Sequence, residues 1–145
     1  YKLDNFVIHC LRYDLAAGEC FVMAGLDFDS IKLPDNMSAQ ERGLIEYHRN
    51  NLKNGTYLDD EQGMTTVFIT GVTGPDGRIY NIPGYFDGKR QTDEDARKRV
   101  SDSNSWEKYP SYETGKSSNE AAIRLHDVID EDATLFRSFK YGEPF

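Results

Sequence analysis

The chain has 145 residues, 38% of them hydrophobic and 12% aromatic, with a net charge of −8 from 25 acidic and 17 basic side chains. That length and apolar content suit one ordinary domain with a real core and exclude a disordered chain. The acidic balance opposes an electrostatic grip on nucleic acid or anionic lipid, so neither partner is expected, and no apolar run reaches membrane-spanning length.

The chain opens on Tyr1 rather than Met, which leaves room for a leader or further residues upstream; no signal peptide is legible. Residues 6–28 are apolar, with one break at Ala16-Ala17-Gly18-Glu19. Two strands of a hairpin fit this run, and so does a helix capped by Asp4 and ending at Gly18. The β-branched and aromatic content favours strands. Cys10 and Cys20 lack the short spacings of zinc or redox motifs and read as small buried hydrophobes. A disulfide between them would require an oxidising compartment.

Ser38 followed by Glu41 forms a capping-box pattern, predicting a helix over 39–54 that Gly55 terminates. Leu44, His48 and Leu52 share one face with Ile45 beside them, so His48 reads as a packed residue. Residues 57–63 are acidic and read as a solvated loop. The stretch 64–89 then predicts two strands joined at Gly74-Pro75-Asp76-Gly77, with a second turn at Asp87-Gly88. Alternation would put Val67 and Ile69 on one side of the first strand, with Phe68, Thr70 and Val72 on the other. Pro83 cannot donate to a ladder, which makes the second strand an edge, or bulged there, and an edge is a docking surface for another chain.

Thr92 and Asp95 repeat the capping signature before a helix over 93–100, whose acidic start and basic end complement its dipole. A polar and aromatic segment follows, with Trp106, Tyr109 and Tyr112. Ser117 or Ser118 is expected to cap a last helix over 119–136, with Ala122, Leu125 and Ile129 as its apolar stripe. The tail, 137–145, contains Phe139, Tyr141 and Phe145 and should be loose unless those rings dock.

A search for chemistry finds little. His9 and Cys10 would point to opposite faces of a strand. His126 and Asp130 share a helical face, which a solvated acidic surface explains more simply than a metal site. Asp27-x-Asp29 and 93–95 lack the spacing and glycine of a calcium loop. Gly71, Gly74 and Gly77 lie in a hairpin, with no helix N-terminus to hold phosphate. No catalytic residue, cofactor or metal is expected.

One pattern resembles a known group. Gly77-Arg78-Ile79-Tyr80-Asn81-Ile82-Pro83, then Asp87-Gly88-Lys89, then Thr92-Asp93-Glu94-Asp95-Ala96 occur in order. The aromatic segment 106–112 follows, then Ala121-Ala122 and Leu125-His126. This order and spacing resembles a segment of tailed-bacteriophage virion proteins and covers about 66–132. The resemblance implies a non-catalytic structural or assembly component of the particle. Its partners would be other virion proteins (portal, neck, tail or capsid), and a homo-oligomer is compatible.

The expected fold is a single α+β domain over 1–145: antiparallel hairpins forming a small sheet, packed with about three helices, with 137–145 as a docking tail. Trp106, Tyr109, Tyr112, Phe139, Tyr141 and Phe145 are the expected protein contacts, the first three doubling as core. The alternative is an acidic inhibitor, a nuclease immunity protein or DNA mimic, working through the clusters at 59–61, 93–95 and 127–132.

Overall fold

The computed structural model describes residues 2–3, 6–14, 19–28, 31–61 and 63–141, with the side chains of 27–28, 31–61 and 63–139. Among the described residues it is α+β, with three α-helices and small antiparallel sheets of two or three strands. The chain divides into two compact units, 1–34 with 134–145, and 35–133.

In the first unit, β1 (Lys2–Leu3), β2 (Phe6–Asp14) and β3 (Glu19–Leu26) form one antiparallel sheet in that order. The strand reading of 6–28 therefore holds over the helical one. A register shift between Cys10 and Arg12 marks a bulge. Cys10 lies opposite Val22 and Cys20 opposite Tyr13, so the two cysteines are not cross-strand partners. The expectations for their side chains fall outside the described residues.

The second unit opens with α1 (Ala39–Asn54), and its capping matches the sequence pattern. Ser38 Oγ accepts from the Glu41 N–H at 3.1 Å, and Glu41 Oε1 accepts from the Ser38 N–H at 3.1 Å. Gly55 ends the helix at φ 70°, a left-handed conformation that glycine adopts without a Cβ clash. Leu44, Ile45, His48 and Leu52 are all buried.

The acidic 57–63 segment is not a plain loop. β4 (Leu58–Asp60) pairs with β5 (Gly63–Thr65) in a short hairpin, with Asp59 and Asp60 exposed. Backbone pairing builds it, and its acidic sequence carries no hydrophobic alternation to announce it.

β6 (Ile69–Thr73) and β7 (Ile79–Pro83) form the expected central hairpin. At its turn the Gly77 N–H donates to Gly74 O, and Gly77 takes φ 82°. The alternation expected from Val67 onward fails at Phe68, which sits at φ 47°, an uncommon and strained setting for a bulky side chain. Val67 is consequently buried while the Phe68 ring is 48% exposed. The Gly84 N–H donates to Phe68 O at 2.7 Å, and a Cβ on Gly84 would lie only 2.7 Å from that same oxygen. Only glycine admits this approach.

β7 is not the open edge that Pro83 suggested. β10 (Ser111–Tyr112) pairs with it at Ile79 and Tyr80, giving the order β10-β7-β6. Pro83 lies at the last residue of the strand, where β10 no longer reaches. β8 (Tyr85–Phe86) and β9 (Lys89–Arg90) close the Asp87-Gly88 hairpin.

α2 (Asp93–Asp102) starts at Thr92, whose Oγ1 accepts from the Asp95 N–H at 3.1 Å. Its Ala96 and Val100 join Val72, Ile82 and Trp106 in a core cluster, with Tyr80 and Tyr109 packed against it. A 3-10 turn over Trp106–Lys108 leads into β10.

α3 (Gly115–Tyr141) is longer than expected at both ends. Thr114 caps it, not Ser117 or Ser118: its Oγ1 accepts from the Ser117 N–H and its carbonyl from the Ser118 N–H, both at 3.1 Å. The inner face carries Ser118, Ala121, Leu125, Ile129 and Asp132; Leu125 and Ile129 are where the expected stripe put them, and Ala122 is only partly buried. At the other end the helix continues through 137–141, where a loose tail was expected.

Candidate functional site

Two places in the second unit gather polar and aromatic side chains, and they differ in access. The first is an interior network. α1 presents His48 and Arg49 on its inner face, α3 presents Asp132, and the link after β5 presents Thr66. Thr66 Oγ1 lies 2.5 Å from His48 Nδ1. His48 Nε2 lies 3.3 Å from Asp132 Oδ2, near enough for a charge contact but off the line of a hydrogen bond. Arg49 completes the set with a forked pair, Nε to Oδ2 at 2.8 Å and Nη2 to Oδ1 at 3.2 Å. Asn51 Nδ2 donates to the Thr66 carbonyl at 2.7 Å.

Burial alone would raise the Asp132 pKa; the close polar contact of His48, the hydrogen bonds from Arg49 and the Arg49 charge outweigh it and hold the carboxyl below its ordinary value. Hydroxyl, imidazole and carboxylate in a row have the order of a nucleophile, base and orienting acid. Here the residues are 3%, 0% and 1% exposed, so no substrate reaches them without opening the fold. The network ties α1, α3 and the β5–β6 link together, in line with the packed role read for His48. It also removes Asp132 from the acidic surface expected over 127–132, because its carboxylate faces inward onto Arg49.

A second interior pair, Asn81 on β7 and Ser118 on α3, bonds reciprocally. Asn81 Nδ2 donates to Ser118 O at 3.0 Å, and Ser118 Oγ donates to Asn81 Oδ1 at 2.6 Å.

The accessible place is a groove of about 410 Å³ between the start of α1 and the segment 106–112. Tyr80, Trp106, Tyr109 and Tyr112 supply its rings, and Glu41 and Glu107 its carboxylates. Trp106 is only 8% exposed and packs edge-on against Tyr80, with ring centroids 4.9 Å apart. It is thus a core residue that reaches the groove with little of its surface. Tyr109 and Tyr112 are half-buried.

The Tyr112 hydroxyl is buried without a partner at hydrogen-bonding geometry. Burial first, and the adjacent Glu41 carboxylate second, push its pKa well above that of a free phenol. Glu41 itself is 8% exposed; Oε1 is held by the Ser38 N–H. Arg78 flanks the groove, donating to Ser111 Oγ at 2.9 Å and Ser111 O at 3.2 Å, and Arg124 is close enough to act on Tyr112. Neither cation lines the groove.

The structure therefore brings together Trp106, Tyr109 and Tyr112 of the expected contact residues. Phe139, partly buried, and Tyr141 lie on the last turns of α3, and Phe145 falls outside the described residues. Sequence reasoning missed two exposed rings: Phe68, with the Arg90 guanidinium 5.4 Å from its centroid, and Phe86, with that of Arg99 at 4.4 Å. It also missed Glu41 as a groove residue; the capping pattern that revealed its helical role says nothing of its second neighbour. His126 and Asp130 form an exposed pair at 3.5 Å, as a solvated face requires.

Among the described residues no group of three or more His, Cys, Asp or Glu side chains could hold a metal ion, and no helix is long and apolar enough to cross a membrane. Comparison with family models, with curated proteins and with solved structures gave no match.

Proposed function

We propose that this protein works by protein–protein contact, without catalysis, as a structural or assembly component of a tailed-phage particle. The observation that carries the contact reading is the groove. It collects Trp106, Tyr109 and Tyr112 at a surface, whereas the side chains best ordered for catalysis, Thr66, His48 and Asp132, lie sealed in the interior. Aromatic residues set in partly desolvated grooves are the usual anchors of protein interfaces. The placement in a virion rests on the order and spacing of residues over 66–132.

Quantitative mass spectrometry of purified particles of the encoding phage tests this reading. A fixed copy number, a multiple of the portal or tail symmetry, is the expected result. Absence from the particle overturns the virion assignment.

A further inference from the structure

The strand β6 is a free edge of the β10-β7-β6 sheet. The Gly74 N–H donates to Arg78 O and the Gly84 N–H to Phe68 O, which sets the phase of the ladder between them. Thr70 and Val72 therefore bond to β7, while Ile69, Gly71 and Thr73 turn their N–H and C=O groups outward. Asn81, opposite Gly71, agrees with this phase: its own N–H turns away from β6, to Pro110 O at 3.0 Å. Among the described residues no strand pairs with the outer side of β6, where Gly71 and Thr73 are exposed. Arg97 Nε reaches its far end, donating to Thr73 O at 3.0 Å.

Exposed edges are ordinarily blunted by charged side chains, proline or a bulge. Residues 64–73 contain no charged residue and no proline, in a chain that is 29% charged. Two grooves flank the edge: one of about 300 Å³ between β6 and α3, with Ile69, Gly71 and Ala122 in its lining, and one of about 270 Å³ between β6 and α2, with Thr73 and Glu94. The side chains of an added strand would alternate between these two sides.

We infer that β6 pairs antiparallel with β6 of a second copy of this chain, joining two three-stranded sheets across a twofold axis. The inference deepens the contact reading above and rests on it. The edge is its own complement. Centred on Gly71, antiparallel pairing sets Ile69 against Thr73 of the second copy, so every outward group meets an outward group. Two glycines meet at the axis, where no side chain holds the backbones apart, and the ladder brings no like charges together. Thr73 O keeps Arg97 and accepts from Ile69 as well, since a carbonyl has two lone pairs. The net charge of −8 on each copy is screened at physiological ionic strength.

Sedimentation equilibrium of the full chain at that ionic strength, over the micromolar to millimolar range, reads the association, and amide hydrogen exchange by NMR locates it. A monomer–dimer equilibrium is expected. The Ile69, Gly71 and Thr73 amides should exchange more slowly as concentration rises, whereas those of Thr70 and Val72, already bonded to β7, should change little. Thr73→Pro removes an outward N–H and spares the β7 ladder, so it should weaken the dimer at least about fivefold through the bonds lost on the two copies. The exchange pattern of the wild type carries the test if that variant does not fold.

A monomer at every concentration overturns the inference. So does a dimer in which the three outward amides exchange as fast as in the monomer, or a folded Thr73→Pro variant that dimerises as tightly as the wild type. Failure here with the chain present in particles leaves the assembly reading standing. A β6-paired dimer absent from particles overturns only the virion assignment.

Discussion

The buried network around Asp132 and the open groove beside Glu41 are built from similar materials and are set up for opposite ends. Each joins a carboxylate from a helix to polar or aromatic groups from other elements. Asp132 has its cation: Arg49 forks onto it at 2.8 and 3.2 Å, with both side chains buried. Glu41 is held instead within its own helix cap, by the Ser38 N–H, and borders a groove lined by Tyr80, Trp106, Tyr109 and Tyr112. A buried charge paired across two helices ties them together, whereas one satisfied within its own helix cap leaves the adjoining groove open. Residue type does not separate the two cases, but the partner that each carboxylate bonds does.

The comparison is tested most sharply by breaking the internal pair. Asp132→Ala leaves Arg49 charged and largely buried, and is expected to cost about 3–5 kcal/mol, the usual result of removing one member of a buried pair. Urea unfolding measures it, and a loss below about 1 kcal/mol would mean that water reaches the network. The same carboxylate gives a pH signature. Its folded pKa is depressed, so its contribution is complete above the unfolded value of about 3.9 and is lost as pH falls through the lower, folded value. The stability gap between the wild type and Asp132→Asn should therefore narrow on acidification through that window. A gap constant from pH 7 to pH 2 would contradict the assignment.

On the groove side the expected effects are smaller and include a gain. Tyr112→Phe removes a buried hydroxyl that lacks a partner and should raise stability by about 1 kcal/mol. A loss instead would mean that the hydroxyl bonds to Glu41 in solution. Glu107→Gln changes one exposed carboxylate and should leave unfolding within about 0.5 kcal/mol of wild type. A larger change would make Glu107 part of the scaffold and blur the contrast between the two sites.

Local signals in the chain were strong where a few adjacent residues decide the outcome. Ser38 with Glu41 fixed the start of α1 and Gly55 its end, because both caps are made within one turn. Gly74 to Gly77 fixed the central hairpin, and β-branched runs fixed β2 and β3. The signals failed where a distant element intervened. Ser118 looked like a helix cap, but its hydroxyl is taken by Asn81, and Thr114 caps the helix instead. Phe68 looked like a strand residue, yet the close passage of Gly84 holds it in a left-handed turn and ends the alternation. Pro83 suggested an edge, and nothing near it in sequence gave a hint that Ser111 and Tyr112 would return to pair with Tyr80 and Ile79 of β7.

By itself, then, the sequence determined the α+β class, the three helices, the central hairpin and the aromatic character of 106–112, since all of these follow from periodicity, caps and turn chemistry over short distances. Only the tertiary structure decided which carboxylate is tied across two helices and which borders an open groove. The capping box marks Glu41 in the sequence, but nothing in the sequence marks Asp132 as the acid turned inward. Its role is set by where Arg49 reaches, a matter of packing between helices whose contacts are far separated along the chain.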